Sequence, residues 1–177
     1  MPSTIYIDKE AARVIIREEL EQLRQRIAAN MTAAGQVASG RTIASMHVET
    51  NEQEGTLFGR AYFGVLETGR RAGAVPSNFT AIIYRWMQDK NIHAKPLPYI
   101  RPGAHKYNDP QVRGDMSMAA AIAHTIMTRG SKLFRQGGRD DIYSKEIPAT
   151  VDRVRERLVF LISQTFSSIK LNNTTIK

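Results

Sequence analysis

The side chains in this sequence that could carry out chemistry are four histidines and one cluster of carboxylates. The histidines are His47, His93, His105 and His124. No two of them are three or four residues apart, so they cannot supply the paired ligands of a metal site on one helix. The carboxylates are Asp140, Asp141 and Glu146. We interpret them as charges of a loop and of a helix N-terminus rather than as an acid–base pair.

Other catalytic signatures are missing from the sequence. The chain has no cysteine, which excludes a thiol nucleophile, a disulfide framework and thiolate metal ligands. Gly59, Gly64 and Gly69 are five residues apart, a spacing that matches no phosphate-binding loop. No nucleophile elbow is present. We therefore predict no catalytic residues, no cofactor and no bound metal, and keep an enzyme of unfamiliar type as an alternative.

The charge of the chain is concentrated in its middle. The 177 residues include 25 Lys and Arg against 17 Asp and Glu, a net charge of +8. Residues 61–145 hold 13 of the basic and 6 of the acidic side chains, without a run of five like charges. This excess predicts an acidic partner, either protein carboxylates or DNA phosphates. No signal peptide and no apolar stretch of about 20 residues is present, so a membrane partner is not expected.

Apolar periodicity and capping residues predict four helices. The first covers residues 9–30, follows the N-cap Asp8 and has one apolar stripe. The second covers residues 78–90, and the third runs from an N-cap at Asp115 to residue 129. The fourth covers residues 148–169. Its expected buried stripe consists of Val151, Val154, Leu158, Leu161 or Ile162, Thr165 and Ile169.

Two short segments have the period of strands. Residues 43–50 and 56–63 alternate in polarity, which predicts an antiparallel pair. Extended loops are expected at residues 69–77, 94–114 and 131–146. The predicted fold is α+β, a single domain over residues 1–177 in which a small antiparallel sheet packs with long N- and C-terminal helices and a Trp-containing helix. Because two strands alone are marginal, further strands from this chain or a neighbour are expected.

The only tryptophan, Trp86, lies on the apolar face of the second predicted helix. Phe79, Ile82 and Ile83 share that face. Large aromatic side chains on such a face are usually buried, so we predict that Trp86 packs in the core, with anchoring at an interface as the alternative.

The order of these features carries a resemblance to a known family. Its first part lies at Ser39-Gly40-Arg41 and Ile43, its second at Tyr62, Leu66-Glu67 and Gly69, and its third at Ile83, Trp86, Lys90 and Ile92. A later part consists of Ala119, Ile122, Ile126, Gly130, Ser131 and Phe134. Across about residues 38–135 the sequence resembles the phage head–tail joining (neck) or tail-completion proteins, also called minor tail components. It departs from them at Arg70-Arg71, where Thr or Ser is usual.

The resemblance implies a non-enzymatic virion protein that is made in the host cytoplasm. Its copies would form a ring, twelvefold or sixfold, in the phage neck or upper tail. That ring would join the portal or head-adaptor proteins to the tail proteins and surround the DNA channel, with non-specific DNA contacts at most. Structural roles are implied for Tyr62, Glu67, Gly69 and Trp86.

The three loops are expected to reach neighbouring subunits, since arginine forks pair well with carboxylates at protein interfaces. The candidate subunit-interface residues are Arg70, Arg71, Arg101, Phe134, Arg135 and Arg139. The alternative function is a basic DNA-binding accessory protein. Its affinity for duplex DNA would fall steeply with salt.

Overall fold

The protein has the predicted α+β architecture, in which two short antiparallel strands accompany seven helices in the described parts of the chain. The computed structural model describes residues 8–51, 54–98 and 109–167. The elements are α1 Lys9–Ala33, α2 Arg41–Ala44, β1 His47–Thr50, β2 Gly55–Phe58, α3 Val65–Thr68, α4 Phe79–Asp89, α5 Pro110–Arg129, α6 Lys132–Arg135 and α7 Glu146–Ser167.

The first helix begins as predicted. The carboxylate of Asp8 accepts hydrogen bonds from the backbone N–H groups of Glu10 and Ala11, which have no partner within the helix. The helix continues three residues past the predicted end, to Ala33. Its buried face consists of Glu19, Leu23, Ile27 and Met31, so a charged residue interrupts the apolar stripe.

The hairpin is shorter than predicted. β1 and β2 pair over four residues each, from His47 opposite Phe58 to Thr50 opposite Gly55. Of the predicted strand ends, residues 43–44 belong to α2 and residues 45–46 connect it to β1, while residues 59–63 lie in the connection to α3, which turns from residue 61. The hairpin lies on α1 so closely that a Cβ at Gly55 would overlap Ile16. Within the described residues the sheet has two strands, and α1 provides the apolar support that further strands were expected to give.

One hydrophobic core joins α1 to the hairpin and to the segment before α7. It contains Leu23, Ile27, Met31, Met46 and Ile142. The loop residue Ile142 is fully buried there, although it lies far along the chain from the others. The predicted loop at 131–146 is therefore anchored in the core, and it includes the short helix α6.

The contact between α1 and α7 is charged. Buried Glu19 accepts hydrogen bonds from Nε of Arg153 (3.1 Å) and Nη1 of Arg157 (3.0 Å). Nearer the other end of α1, Arg26 pairs with Glu146 at 3.1 Å. The later contact residue of α1, Arg26, pairs with the earlier one of α7, Glu146. The two helices are therefore antiparallel.

The predicted stripe of α7 differs from the structure at its first residue. The buried residue of the helix is Thr150, whereas Val151 is 52% exposed. The rest of the described stripe is half-buried: Val154, Leu158, Leu161, Ile162 and Thr165. The side facing α1 also holds arginines that pair with Glu19. Ile169 lies outside the described residues.

A second core lies between α4 and α5. Ile83 and Met87 of α4 pack against Ala119 and Ala123 of α5. The small alanine side chains let the two helices approach closely. The helix α4 is followed by a left-handed Asn91 (φ 53°), and α5 by Gly130.

The predicted start of α5 is wrong. Asp109 is the N-cap, accepting from the N–H groups of Gln111 (2.6 Å) and Val112 (3.4 Å), and Pro110 is the first helical residue. Asp115 lies inside the helix, where its carboxylate accepts from the N–H of Ala94 at 2.7 Å and contacts Nδ1 of His93 at 3.0 Å. The hydrogen bonds from His93 and then Ala94 lower the pKa of Asp115.

The predicted loop at 94–114 is therefore shorter, because residues 110–114 are helical. Its first part, residues 94–98, lies against the first turns of α5, and Leu97 donates its N–H to the carbonyl of Pro110 (2.9 Å). The remaining loop residues up to 108 lie outside the described residues.

Candidate functional site

Glu67, in the short helix α3, has the most highly bonded carboxylate in the described structure. Its side chain is nearly fully buried, at 4% exposure. Oε1 accepts hydrogen bonds from the consecutive N–H groups of Ile142, Tyr143 and Ser144, at 2.9, 2.7 and 2.9 Å. The Ser144 hydroxyl donates to Oε2. We call this arrangement the Glu67 clasp.

The clasp keeps the carboxylate ionised. Burial alone raises the pKa of Glu67, but the Ser144 hydroxyl and the three backbone N–H groups outweigh it, so the pKa lies below its ordinary value. A group held in this form accepts hydrogen bonds and does not supply a proton near neutral pH. Its chemistry is that of an anchor for residues 142–144.

The backbone around Gly69 crosses the segment that follows α5. The Ser131 N–H donates to the carbonyl of Arg70 (2.7 Å), and the Ser131 hydroxyl accepts from the Arg70 N–H (3.0 Å). Gly69 has φ 69° and ψ 171°, and a Cβ there would overlap the backbone nitrogen of Phe134. The crossing thus requires glycine at position 69 and uses Ser131 as both donor and acceptor.

Arg139, in the loop before α7, also contacts Glu67. Its N–H donates to the carbonyl of Glu67 (2.9 Å). Its guanidinium forms two bonds with Asp141, at 2.5 and 2.8 Å, which lower the pKa of that carboxyl to about 2. The hydrogen bonds with Asp141 also raise the pKa of Arg139. Arg139 is therefore engaged within its own chain.

The other candidate interface residues divide into two groups. Arg70 is half-buried: its Nη2 donates to the carbonyl of Ala74 (2.6 Å) and its guanidinium lies over the ring of Phe79. Arg71, Phe134 and Arg135 are exposed. Arg101 lies outside the described residues. A role of these side chains in subunit contacts stays a prediction.

Tyr62 and Trp86 line a second feature, an open groove. Two adjoining cavities, of about 470 and 440 Å³, share both aromatic side chains together with Ala38, Ser39 and Arg41. Tyr62 is 50% exposed and Trp86 is 39% exposed. The prediction that Trp86 packs in the core is wrong, because the buried positions of α4 are Ile83 and Met87. We call this feature the aromatic groove.

The rim of the aromatic groove is basic. Its charged residues are Arg41, Arg60, Arg85, Asp89 and Lys90. Arg60 donates to the Tyr62 hydroxyl (2.6 Å) and lies 5.8 Å from the centre of that ring. Arg41 pairs loosely with Asp89 at 3.8 Å, and Lys90 donates to the carbonyl of Gly35 (2.6 Å). The groove therefore presents two aromatic faces within an excess of positive charge.

Replacing Trp86 by alanine is expected to lower the free energy of unfolding by about 2 kcal/mol, because 39% of its surface is already in water. A buried aromatic would cost about 3–5 kcal/mol. Met87→Ala, at the fully buried neighbouring position, should cost more and serves as the matched control. Urea unfolding followed by circular dichroism measures both, and a larger loss for Trp86 than for Met87 would contradict this assignment of the two side chains.

Sequence reasoning missed several residues of these two features. Ser144 is an ordinary loop serine by type, and Ser131 belongs to the family resemblance without an assigned role; their positions show that they close the clasp and the crossing. Arg60 and Arg85 contribute to the net charge, but the sequence predicted no site for them. The alternation of Arg60 and Tyr62 was the one local signal that could have directed attention to the groove.

Within residues 8–51, 54–98 and 109–167, no group of three or more His, Asp or Glu side chains is arranged to hold a metal ion. Asp140 pairs with Lys145 at 2.7 Å, and Asp141 pairs with Arg139. No helix in that part of the chain is both long enough and apolar enough to cross a membrane.

Comparison with protein-family models, with curated proteins and with solved structures found no match to this chain.

Proposed function

We propose that this chain is a structural subunit of a ring in the neck or upper tail of a phage. The ring joins the portal or head adaptor to the tail and surrounds the DNA channel. The proposal rests on the sequence resemblance across about residues 38–135. In this function the chain carries out no reaction, and its side chains hold protein surfaces in place.

The observation that carries the proposal is that residues of two separated motifs contact one another. Gly69 fits against the backbone of Phe134, and Ser131 bonds Arg70 in both directions. Glu67 binds residues 142–144 just beyond. In these contacts, polar groups of the motif form hydrogen bonds within the chain. This supports an architectural role for the motif. Loops held in this way can present a fixed surface to neighbours.

Exposed apolar side chains on α7 support the same proposal. Val151, Val159 and Phe160 are each more than half exposed. Apolar side chains gathered on one helix are favourable sites for burial against another protein. A ring subunit has such neighbours on two sides.

The decisive experiment uses phage particles that contain this chain. When the gene is removed, we expect DNA-filled heads and complete tails that fail to join, and purified chain added to the mixture should restore joined, infectious particles. Electron microscopy with a labelled chain should show density at the neck. Normal joined particles without the chain, or label confined to the shell or the tail tip, would contradict the proposal.

The alternative of a DNA-binding accessory protein is supported by Arg60 and Arg85 beside the exposed rings of the aromatic groove. Titration of labelled duplex DNA at several salt concentrations separates the two functions. The ring subunit should bind only non-specifically, with a Kd of about 10–100 μM at physiological salt. A submicromolar Kd with a steep salt dependence would favour the accessory protein.

A further inference from the structure

We propose that the aromatic groove of one copy binds the Phe160 edge of a second copy. The Phe160 edge is the surface formed by Ile15, Glu156, Arg157, Phe160, Leu161 and Gln164. This contact would be the joint between neighbouring copies, and it rests on the proposed ring function.

The groove has the features of a receptor for an apolar side chain. It is concave, and the exposed rings of Tyr62 and Trp86 form part of its walls. Its floor is held by Gln36, which donates to the carbonyl of Leu66 (2.8 Å). Lys90 ties the end of α4 to Gly35. A groove built from bonded segments can accept an apolar anchor without reorganising, which favours binding.

The Phe160 edge has the features of the anchor. At 64%, Phe160 is more exposed than any other large hydrophobic side chain in the described residues. Ile15 and Leu161 beside it are half-buried, so the ring stands out from an apolar base. Aromatic side chains in this position are typical of the residues that dominate protein–protein binding.

The charges of the two surfaces are complementary. The groove has four basic residues against Asp89, and Arg85 among them has no ion-pair partner in the described part of the chain. On the edge, Arg157 pairs with Glu18 and Glu19 of its own chain, whereas Glu156 has no ion-pair partner among the described residues. Arg85 and Glu156 can therefore pair across the joint, next to the buried aromatic contact.

The separation of the two surfaces along α1 allows a head-to-tail contact. Ile15 lies in the edge and Met31 lines the groove, and both belong to α1. Sixteen residues of helix separate them by roughly 24 Å. One copy cannot join its own edge to its own groove, and in a head-to-tail series each copy contacts two others through different surfaces. Such an interface produces a ring when the rotation closes.

The test uses two variants, each of which changes one of the two surfaces and leaves the other intact. Phe160→Ser removes the anchor, and Arg85→Glu opposes Glu156 in the groove. Both positions are exposed, so both variants should fold with unchanged circular dichroism. In sedimentation velocity up to about 1 mM protein, the wild-type chain should associate beyond dimers. Each variant alone should associate at least tenfold more weakly, and an equal mixture should give dimers and nothing larger.

Two further variants make the test specific. The double variant Arg85→Glu with Glu156→Arg should recover association that either single change weakens. Phe166→Ser is the matched control, because Phe166 is an exposed ring on the same helix but outside the edge, and it should leave association unchanged. Trp86 is the only tryptophan, so reduced quenching of its fluorescence by acrylamide reports occupation of the groove directly.

The outcomes are distinct. A chain that stays monomeric at about 1 mM, or association that survives Phe160→Ser, would overturn the joint. Protection of Trp86 by single-stranded or duplex DNA, but not by wild-type protein, would assign the groove to nucleic acid and overturn it as well. Incorporation of Phe160→Ser at the neck as efficiently as wild type would overturn the joint while leaving the ring function standing. Absence of the wild-type chain from the neck would reject the ring function alone.

Discussion

Replacement of Glu67 by alanine is expected to lower the free energy of unfolding by about 4 kcal/mol, a large fraction of the stability of most domains. The change leaves the N–H groups of Ile142, Tyr143 and Ser144 without their acceptor, in a region where Ile142 is fully buried. Each unsatisfied buried donor costs about 1–3 kcal/mol. Chemical denaturation at about pH 7 measures the loss.

Glu49→Ala is the control for this measurement. Glu49 lies on the exposed side of β1, where it contacts only His47 among the ion pairs of the described residues, at 3.3 Å. Its removal should change the free energy of unfolding by less than about 0.5 kcal/mol. A similar small effect at Glu67 would show that water replaces the carboxylate, and the clasp would then have no role in stability.

The stability gained from Glu67 should disappear in acid. The folded-state pKa of Glu67 lies below the ordinary value of 4.5, so the unfolded chain takes up the proton first as the pH falls. The contribution is therefore complete above about pH 5 and is lost as the pH falls through the folded-state pKa. The difference in stability between wild type and Glu67→Gln should be largest near pH 7 and should shrink at about pH 3. A difference independent of pH would contradict an ionised clasp.

Gly69→Ala is expected to lower the free energy of unfolding by about 3 kcal/mol. Two causes add: the residue has a φ of 69°, which L side chains rarely adopt, and its new methyl group would overlap the backbone of Phe134. Backbone atoms cannot move aside as a side chain can, so the crossing with the Ser131 segment must open. Thermal unfolding and denaturant unfolding should both show the loss.

Gly137→Ala separates the two causes. Gly137 also has a positive φ, of 89°, but a Cβ there would meet no atom within 4 Å. It should therefore cost only the conformational part, about 1 kcal/mol. Equal losses at the two glycines would mean that the Gly69 backbone shifts to accept the methyl group, and the close crossing would then not be rigid.

Local sequence signals predicted the presence of the long helices and of the hairpin better than the residues at which they begin and end. Asp8 was recognised because a capping residue directly precedes an apolar period, and the structure confirms it. The same reasoning predicted Asp115 as the N-cap of α5, whereas the structure has Asp109 there. Both carboxylates accept backbone N–H groups, but Asp115 bonds Ala94, a residue distant along the chain. Sequence cannot separate a local cap from a tertiary acceptor, since both require a carboxylate near backbone donors.

Burial was the harder prediction. Helical period places Trp86 and Ile83 on overlapping faces, but α5 covers only the side with Ile83 and Met87. Likewise, the predicted stripe of α7 omits Arg153 and Arg157, which Glu19 draws to the contact with α1. Periodicity identifies which residues share a face. It does not identify which face a neighbouring helix covers.

The motif around Glu67 was visible in sequence, but its role was not. Its hydrogen-bond partners lie 75 to 77 residues away and are mostly backbone groups, which every residue type supplies. No side-chain pattern could therefore mark residues 142–144 as its ligands. The fold had to bring the segment before α7 to α3 for the clasp to appear.

The pairing of the first and last described helices has a consequence for synthesis of the chain. Glu19 and its partner Arg153 are separated by 134 residues. At about 5–20 residues per second, the ribosome needs roughly 7 to 27 seconds to make the arginine after the glutamate. During that time the face of α1 that α7 will cover remains open. The nascent chain therefore exposes part of the same helix whose apolar side supports the hairpin. Completion of the last helix, rather than of the sheet, ends that exposure.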